Sequence, residues 1–242
     1  FAGLGATSAV LMLVFKDTIL GLAAGVRLTS NDMLHKGDWI TVKSVDANGI
    51  VEDMSLTTVK VRNFDNTIVT ISPATLVNGS FQNWIGMQKS GGRRVKRIVY
   101  FDFRSIRLVD ETLKQTLLAK HFATEDSFKL KESLQKAIEK DIQEGKDIED
   151  LKNPAALAPT NLQLYRRFME KYLRQRPEVN TELTLMVRHM EATQCGLPIE
   201  FYFFIKDKVW VNYEHILADI MEHAYALANE FGLKIYEQYP EQ

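Results

Sequence analysis

The chain is poor in cysteine: Cys195 is the single one among 242 residues. An intrachain disulfide is therefore impossible, and a metal site would need histidines and carboxylates. The net charge is also nearly absent, at −1, which gives no general attraction to nucleic acid or anionic lipid. No basic segment precedes the first apolar run, as one would in a secretory signal peptide. Because the chain starts abruptly within that run, we expect it to be a fragment of a longer protein.

Motifs of common enzyme classes are missing as well. The sequence has no G-x-S-x-G, no P-loop and no dinucleotide-binding glycine fingerprint. Four carboxylates lie in or beside predicted strands: Asp53, Asp65, Asp102 and Glu200. No nucleophile is spaced to act with them. His215, Asp219 and His223 share one face of a predicted helix, which is more typical of a polar surface than of a zinc site. We therefore expect no enzyme, no metal and no cofactor.

What the chain does have is an uncharged opening run, FAGLGATSAVLMLVF, at residues 1–15. A membrane span takes ~20 apolar residues, and residues 18–26 continue the run beyond Lys16 and Asp17. Each charge would cost about 2.5–3.5 kcal/mol at the bilayer centre, so we place the pair at the membrane edge. The run is rich in small residues, which let helices pack closely in lipid. We predict a transmembrane helix, and a buried helix of a soluble protein is the alternative.

The segment that follows, TILGLAAGVRLTSNDML, keeps helical spacing. Ile19, Leu22 and Val26 fall on one side, which indicates an amphipathic helix near the membrane surface. We therefore assign residues 1–35 to a pore-lining and interfacial helix, bent where the charged pair leaves the bilayer.

Residues 36–86 change to a strand pattern. KGDWITVKSV and GIVEDMSLTTVKVRN are rich in β-branched residues, with turn signals at residues 46–49 and 64–66. TIVTIS follows and ends at Pro73. Five short strands within so few residues predict a small barrel-like β domain.

The rest of the chain predicts an α+β domain at residues 98–242, joined by a basic linker at residues 87–97. The order of elements is strand, helix, strand, strand, helix, strand, with LKIYEQ (residues 233–238) as the last strand, which indicates a ferredoxin-like fold. Near residues 110–160, interspersed charges of both signs predict a solvated helical insertion. A small barrel followed by a basic segment is also compatible with RNA binding, with Phe64, Phe81 and Trp84 stacking on bases.

Taken together, four segments resemble the small-conductance mechanosensitive channel family, and more closely its miniconductance (YbdG-like) branch: LGATSAVLMLVFKDTILGLAAGV, KGDWITV, TTVKVRNFDNTIVTISPATLVNGSFQNW and SGGRRVKR. The resemblance implies a multidomain membrane protein fragment with a pore-lining helix, a small Sm-like β domain and an α+β ferredoxin-like domain. It implies a homo-oligomer, expected to be a heptamer, that contacts membrane lipids and no nucleic acid. The subunit would sit in the bacterial inner membrane with its C-terminal domains in the cytoplasm. It would open under membrane tension and release ions and small osmolytes on osmotic downshift.

The resemblance also implies site residues on the opening helix. With Gly25 as the anchor, the family's two gate leucines fall at Ala9 and Leu13, and Val10 and Met12 are expected to contribute to the seal. Four small residues are expected to pack neighbouring pore helices: Gly3, Gly5, Ala6 and Ser8. A helix bend at the membrane edge is expected at four others: Lys16, Asp17, Gly21 and Gly25. The family's Gln-Gly is replaced by Lys16-Asp17, so charge would set this bend more than glycine flexibility.

Overall fold

A computed structural model describes the backbone of residues 2–129, 132–145 and 158–238, and the side chains of residues 12–129, 136–145 and 158–238. The chain divides into two compact units, residues 1–90 and residues 91–242. The helices are α1 Ala2–Ser30, α2 Pro73–Asn78, α3 Ile85–Lys89, α4 Glu111–Ala119, α5 Glu132–Gln143, α6 Asn161–Gln175 and α7 Trp210–Glu230. The strands are β1 Trp39–Val42, β2 Ala47–Met54, β3 Val59–Asn63, β4 Ile68–Ile71, β5 Gln82–Asn83, β6 Arg93–Phe101, β7 Met186–His189 and β8 Leu197–Ile205.

The first unit contains an antiparallel sheet in the order β4-β3-β2-β1-β5. Side chains alternate along the strands, so that Val59 and Val61 of β3 are buried while Lys60 and Arg62 are exposed. This period of two sends one row of side chains into the core and the other into solvent. Strands β1 to β4 therefore lie largely within the β-branched runs, and the fifth strand, Gln82–Asn83, follows them without such a run.

The first turn of this sheet lies earlier than the sequence suggested. A 3₁₀ turn at Lys43–Val45 is followed by Asp46 with φ 51°, so residues 47–49 of the expected turn belong to β2 instead. Gly49 is needed there for close strand packing, because a Cβ on it would lie 1.9 Å from the carbonyl oxygen of Arg62. The glycine that resembled a turn signal is thus a site of close backbone approach.

The second unit is built on a three-stranded antiparallel sheet in the order β6-β8-β7. Its core face carries Phe201 and Phe203 of β8, which pack in one buried cluster with α6 and α7 residues such as Tyr165 and Ile220. The predicted last strand at residues 233–238 is reduced to a single bridge between Ile235 and Phe101. That bridge adds a fourth position beside β6, in the order of a ferredoxin-like fold.

The expected basic linker at residues 87–97 is largely regular structure. Residues 85–89 form α3, and β6 already begins at Arg93. Val95 is fully buried opposite Phe203, whereas Arg94 and Lys96 beside it are exposed. Arg94 and Lys96 are therefore solvent-facing positions of a strand, because an antiparallel strand buries alternate side chains.

The charged segment near residues 110–160 is only partly a solvated insertion. Asp110 caps α4 by accepting a hydrogen bond from the Leu113 backbone N–H at 2.8 Å. Leu113 and Leu117, one helical turn apart, join the core of the second unit. α5 lies within the same segment, and residues 130–131 and 146–157 lie outside the described part of the chain.

Candidate functional site on helix α1

The C-terminal end of α1 is fixed into the core of the first unit. Leu28 is fully buried and packs in the same cluster as Leu34, Ile40 and Leu76. At full burial, a leucine side chain contributes about 1.5–3 kcal/mol relative to its exposed state. This end of the helix is therefore held by apolar contacts within its own chain.

Gly25 brings the α1 backbone into direct contact with the turn between β2 and β3. A Cβ on Gly25 would lie 2.2 Å from the carbonyl oxygen of Leu56, which is shorter than any van der Waals contact. The preceding residue, Ala24, is also buried. The Thr29 hydroxyl donates to the Gly25 carbonyl at 3.0 Å and so returns a bond to the backbone at this point. Only a glycine fits here without movement of one of the two backbones.

The adjoining stretch of α1 has the opposite character. Every side chain from Met12 to Leu20 is exposed. The large apolar ones among them are Met12, Leu13, Val14, Phe15, Ile19 and Leu20. A soluble monomer rarely exposes a continuous apolar surface of this kind without a partner or a membrane to cover it. Within the described residues, no helix reaches the length and apolarity of a membrane span.

The structure separates the residues predicted for a seal into two groups. Leu13 and Met12 are exposed, at 74% and 73%, on the apolar stretch. The other predicted residues of the first half of α1 lie within the helical backbone, and their side chains lie outside the described residues: Gly3, Gly5, Ala6, Ser8, Ala9 and Val10. Their predicted roles stay predictions.

The predicted bend falls inside one helix. α1 runs without interruption from Ala2 to Ser30, so a single helix covers both segments that the sequence divided. Lys16 and Asp17 are exposed, and Gly21 has open space around the position of a Cβ. Ile19, Leu22 and Val26, the predicted surface-facing side, are exposed as well. A bend at these positions stays a prediction.

The loop after α1 is held by a buried carboxylate that sequence patterns did not single out as a site. Asp38 is 6% exposed and accepts hydrogen bonds from the His35 backbone N–H at 3.1 Å and from Asn83 Nδ2 at 2.8 Å. The Asn83 amide belongs to β5, 45 residues further along the chain. The only local sign of this link is an aspartate among the apolar residues of KGDWITV, which by itself does not reveal its partner.

The aromatic residues considered for RNA stacking pack against each other or against the core. Trp84 stacks on Trp39 with ring centroids 4.6 Å apart and the planes 18° from parallel. Phe64 meets Trp39 edge to face, and Phe81 packs against the core of the first unit. These contacts leave no row of free rings of the kind that single-stranded RNA binds.

Two of the four carboxylates considered for acid–base work, Asp102 and Glu200, have structural partners. The Asp102 carboxylate accepts hydrogen bonds from the Arg104 guanidinium at 2.7–3.1 Å, and these bonds keep the pKa of Asp102 below its usual range. Glu200 is fully buried and accepts from Arg188 Nε at 2.7 Å. Among the residues that the structure describes, no cluster of histidine, cysteine and carboxylate side chains is arranged to hold a metal ion.

Comparison with known proteins shows that the first unit is similar to part of the mechanosensitive channels. Residues 17–86 match the family described as the β-domain of mechanosensitive ion channels. The chain is 34% identical over 82 residues to the small-conductance mechanosensitive channel MscMJ of Methanocaldococcus jannaschii. It is 29% identical over 118 residues to the large-conductance channel MscMJLR of the same organism. These matches take in 34% and 48% of the chain but only 23% and 32% of the two relatives.

Solved structures extend the likeness to the whole chain. The crystal structure of Helicobacter pylori MscS in its closed state aligns with all of the chain and 71% of that protein, with a TM-score of 0.59 and 12% identity. The cryo-EM structure of Arabidopsis thaliana MSL1 aligns with 97% of the chain and 64% of that protein, with a TM-score of 0.60 and 11% identity. Identities this low establish the fold alone. The resemblance to the small-conductance family is confirmed, and the miniconductance branch stays a prediction.

Proposed function

Since residues 17–86 belong to the β-domain family of mechanosensitive ion channels, we propose that this chain is a subunit of a channel that opens under membrane tension. The observation that carries the proposal is the contrast within α1. Its end is locked into the β-domain at Gly25 and Leu28, whereas the apolar side chains from Met12 to Leu20 have no cover within the described part of the chain. Copies of α1 around a common axis, together with lipid, would supply that cover.

In the proposed assembly, Leu13 faces the axis and forms the narrowest part of a dry constriction. The side chains of Ala9, Val10 and Met12 extend the apolar lining. Ions cross such a constriction poorly because a narrow apolar pore loses its water, so no plug is needed to close it. Tension favours whichever state occupies more membrane area, and therefore shifts the equilibrium toward the wider pore.

The remaining predicted residues of α1 have packing and positioning roles in this proposal. Small residues at the start of the helix let neighbouring copies approach closely and slide as the pore widens: Gly3, Gly5, Ala6 and Ser8. Lys16 and Asp17 lie at the membrane edge, where their charges remain hydrated. Gly21 and Gly25 follow at the point where the helix turns toward the β-domain.

We further propose the setting in which the channel works. The subunit forms a homo-oligomer, a heptamer by resemblance to its family, in the bacterial inner membrane with the second unit in the cytoplasm. There it releases ions and small osmolytes on osmotic downshift. Carbonate extraction of the intact protein tests the membrane part: a channel stays in the pellet, whereas a peripheral module is released. An RNA-binding module is not favoured, because the curated relatives MscMJ and MscMJLR are named as mechanosensitive channels.

The deciding experiment replaces Leu13 with serine and records single channels from membrane patches under controlled suction. A hydroxyl at the constriction would favour water there, so we expect a lower opening tension, leak current at rest and slower growth. Ile19→Ser is the matched control, since Ile19 is an exposed apolar residue of the same helix beyond the charged pair. We expect it to change the opening tension less than Leu13→Ser does. If tension, leak and survival of osmotic downshift are all unchanged in Leu13→Ser, then Leu13 does not form the seal.

A further inference from the structure

The second unit contains a cleft that the proposed channel function leaves without a role. It lies between α6 and the loop after α4, has a volume of about 330 Å³, and is named here the α6 cleft. This volume lies within the range of small-molecule binding sites. One wall is aromatic, because the rings of Phe122 and Phe168 meet edge to face at 5.3 Å within it.

The cleft also carries positive charge, which comes from two basic side chains. Arg167 and Lys171 lie one turn apart on α6 and both line the cleft, since residues four apart share a helix face. No carboxylate is among the described residues that line it. Neither cation has an ion-pair or hydrogen-bond partner in the part of the chain that the structure describes. Within the described part of the chain, the surface therefore presents two positive charges without an ion-pair partner beside an aromatic wall.

Two other basic side chains on or next to α6 do have acceptors. Arg166, the neighbour of Arg167 on α6, donates to the Val187 carbonyl at 2.9 Å. Arg176, near the end of the same helix, pairs with Glu178 at 3.1 Å. Among the described residues, the two cations that line the cleft have no such acceptor.

A third polar residue that lines the cleft, Tyr172, has an unsatisfied hydroxyl group. The Tyr172 hydroxyl is buried and has no hydrogen-bond partner among the described groups, while its ring stacks on His223 with centroids 5.5 Å apart. Tyr172 lines the cleft together with the two cations. A buried donor without an acceptor costs free energy, so the side of the cleft formed by α6 holds an unsatisfied hydroxyl group as well as the two cations.

We propose that the α6 cleft binds a small organic anion in which a phosphate or carboxylate is attached to an aromatic or apolar group. Arg167 and Lys171 hold the anionic head through charge-assisted hydrogen bonds, which are roughly twice as strong as neutral ones. Phe122 and Phe168 contact the apolar part. The site is independent of the pore helix, because every residue of it belongs to the second unit.

The test is isothermal titration calorimetry on the full chain, with phenyl phosphate as the probe. Inorganic phosphate supplies the charge without the ring, and benzyl alcohol supplies the ring without the charge. If both halves of the cleft are used, phenyl phosphate binds at least about tenfold more tightly than either comparison compound. Equal affinity for inorganic phosphate would overturn the proposal, because it would reduce the site to non-specific charge attraction. Absence of any binding of phenyl phosphate would overturn it as well.

Variants of α6 then locate the binding. Arg167→Gln and Lys171→Gln are each expected to weaken phenyl phosphate about tenfold, and Lys171→Arg is expected to retain binding because it keeps the charge. Arg174→Gln is the matched control: Arg174 is an exposed cation on the same helix that does not line the cleft. An equal loss in Arg174→Gln contradicts the proposal. Unchanged thermal unfolding midpoints show that the variants remain folded.

Discussion

The two described stretches of α1 differ more sharply than any two elements of the fold. At Ala24, Gly25 and Leu28 the helix is closely packed by its own chain, with no room for a single methyl group at Gly25. Between Met12 and Leu20 the same helix carries equally apolar side chains that nothing in the described chain covers. Hydrophobicity alone therefore does not separate a core position from an interaction surface. The separation comes from what the rest of the fold brings against each face.

The largest expected effect of this contrast is on stability. Leu28→Ala leaves a cavity in the core of the first unit and should lower its free energy of unfolding by about 2–5 kcal/mol. Leu13→Ala removes the same atoms from an exposed position and should change it little. Urea unfolding in detergent, followed by fluorescence in a Trp210→Phe background, measures the first unit, because Trp39 and Trp84 are then the remaining tryptophans. Equal losses in the two variants would show that Leu13 is also packed against the β-domain.

A smaller effect on stability is expected from substitutions of Gly21 and Gly25 in α1. Each adds a single methyl group, one at a position with open space around it and one at a closely packed position. Gly25→Ala places a Cβ 2.2 Å from the Leu56 carbonyl oxygen, and the forced movement should destabilise the first unit by about 1–3 kcal/mol. Gly21→Ala has no heavy atom within 4 Å of the new Cβ. It should stabilise the helix by up to about 1 kcal/mol, because alanine is the better helix former. The same fluorescence measurement reads both variants, and opposite signs are the expected outcome.

The smallest expected effect on stability concerns the surface turn between β3 and β4 of the first unit. Asp65 accepts hydrogen bonds from the Thr67 hydroxyl at 2.6 Å and from its backbone N–H at 2.9 Å. Donation by the hydroxyl, and then by the backbone N–H, lowers the pKa of Asp65. A lowered carboxylate pKa stabilises the fold above the unfolded-state value of about 3.9, and this contribution is lost as the pH falls through the folded-state pKa.

Thr67→Val tests this turn, since it removes the hydroxyl donor and keeps the backbone one. The pKa of Asp65, followed by NMR titration, should move upward toward its ordinary value. The stability difference between the wild-type chain and Asp65→Asn should be present at neutral pH and absent in strong acid. An unchanged Asp65 pKa in Thr67→Val would show that the backbone N–H alone sets it.

Local patterns predicted most of the small β sheet, apart from its first turn, but not the strand that follows it. The alternation of Val59 and Val61 with charged residues is visible within β3 itself. In β6, the basic residues hid the strand, because its first buried side chain, Val95, stands alone among charges and pairs with Phe203 of a strand about a hundred residues away. The buried pair Leu113 and Leu117 was similarly masked by the charges around it on α4.

The site was predictable only in part, for a comparable reason. The uncharged run and the charged pair Lys16–Asp17 indicated that the candidate site lies on α1, and Leu13 is exposed on this helix. The contact of Gly25 with Leu56 joins residues 31 positions apart, and the link from Asp38 to Asn83 spans a longer stretch. Patterns within a window of residues cannot reveal such pairs, because each partner looks ordinary in its own surroundings.

The fit at Gly25 has a mechanical consequence. Successive residues of a helix are about 100° apart around its axis, so a rotation of α1 by about that angle would bring the Cβ of Ala24 or Val26 toward the Leu56 carbonyl in place of bare backbone. The contact between Gly25 and Leu56 therefore restricts rotation of the helix about its axis. A torque applied to the exposed end of α1 would be transmitted to the β2–β3 turn. The contact at Gly25 thus couples the rotation of α1 about its axis to the position of the sheet.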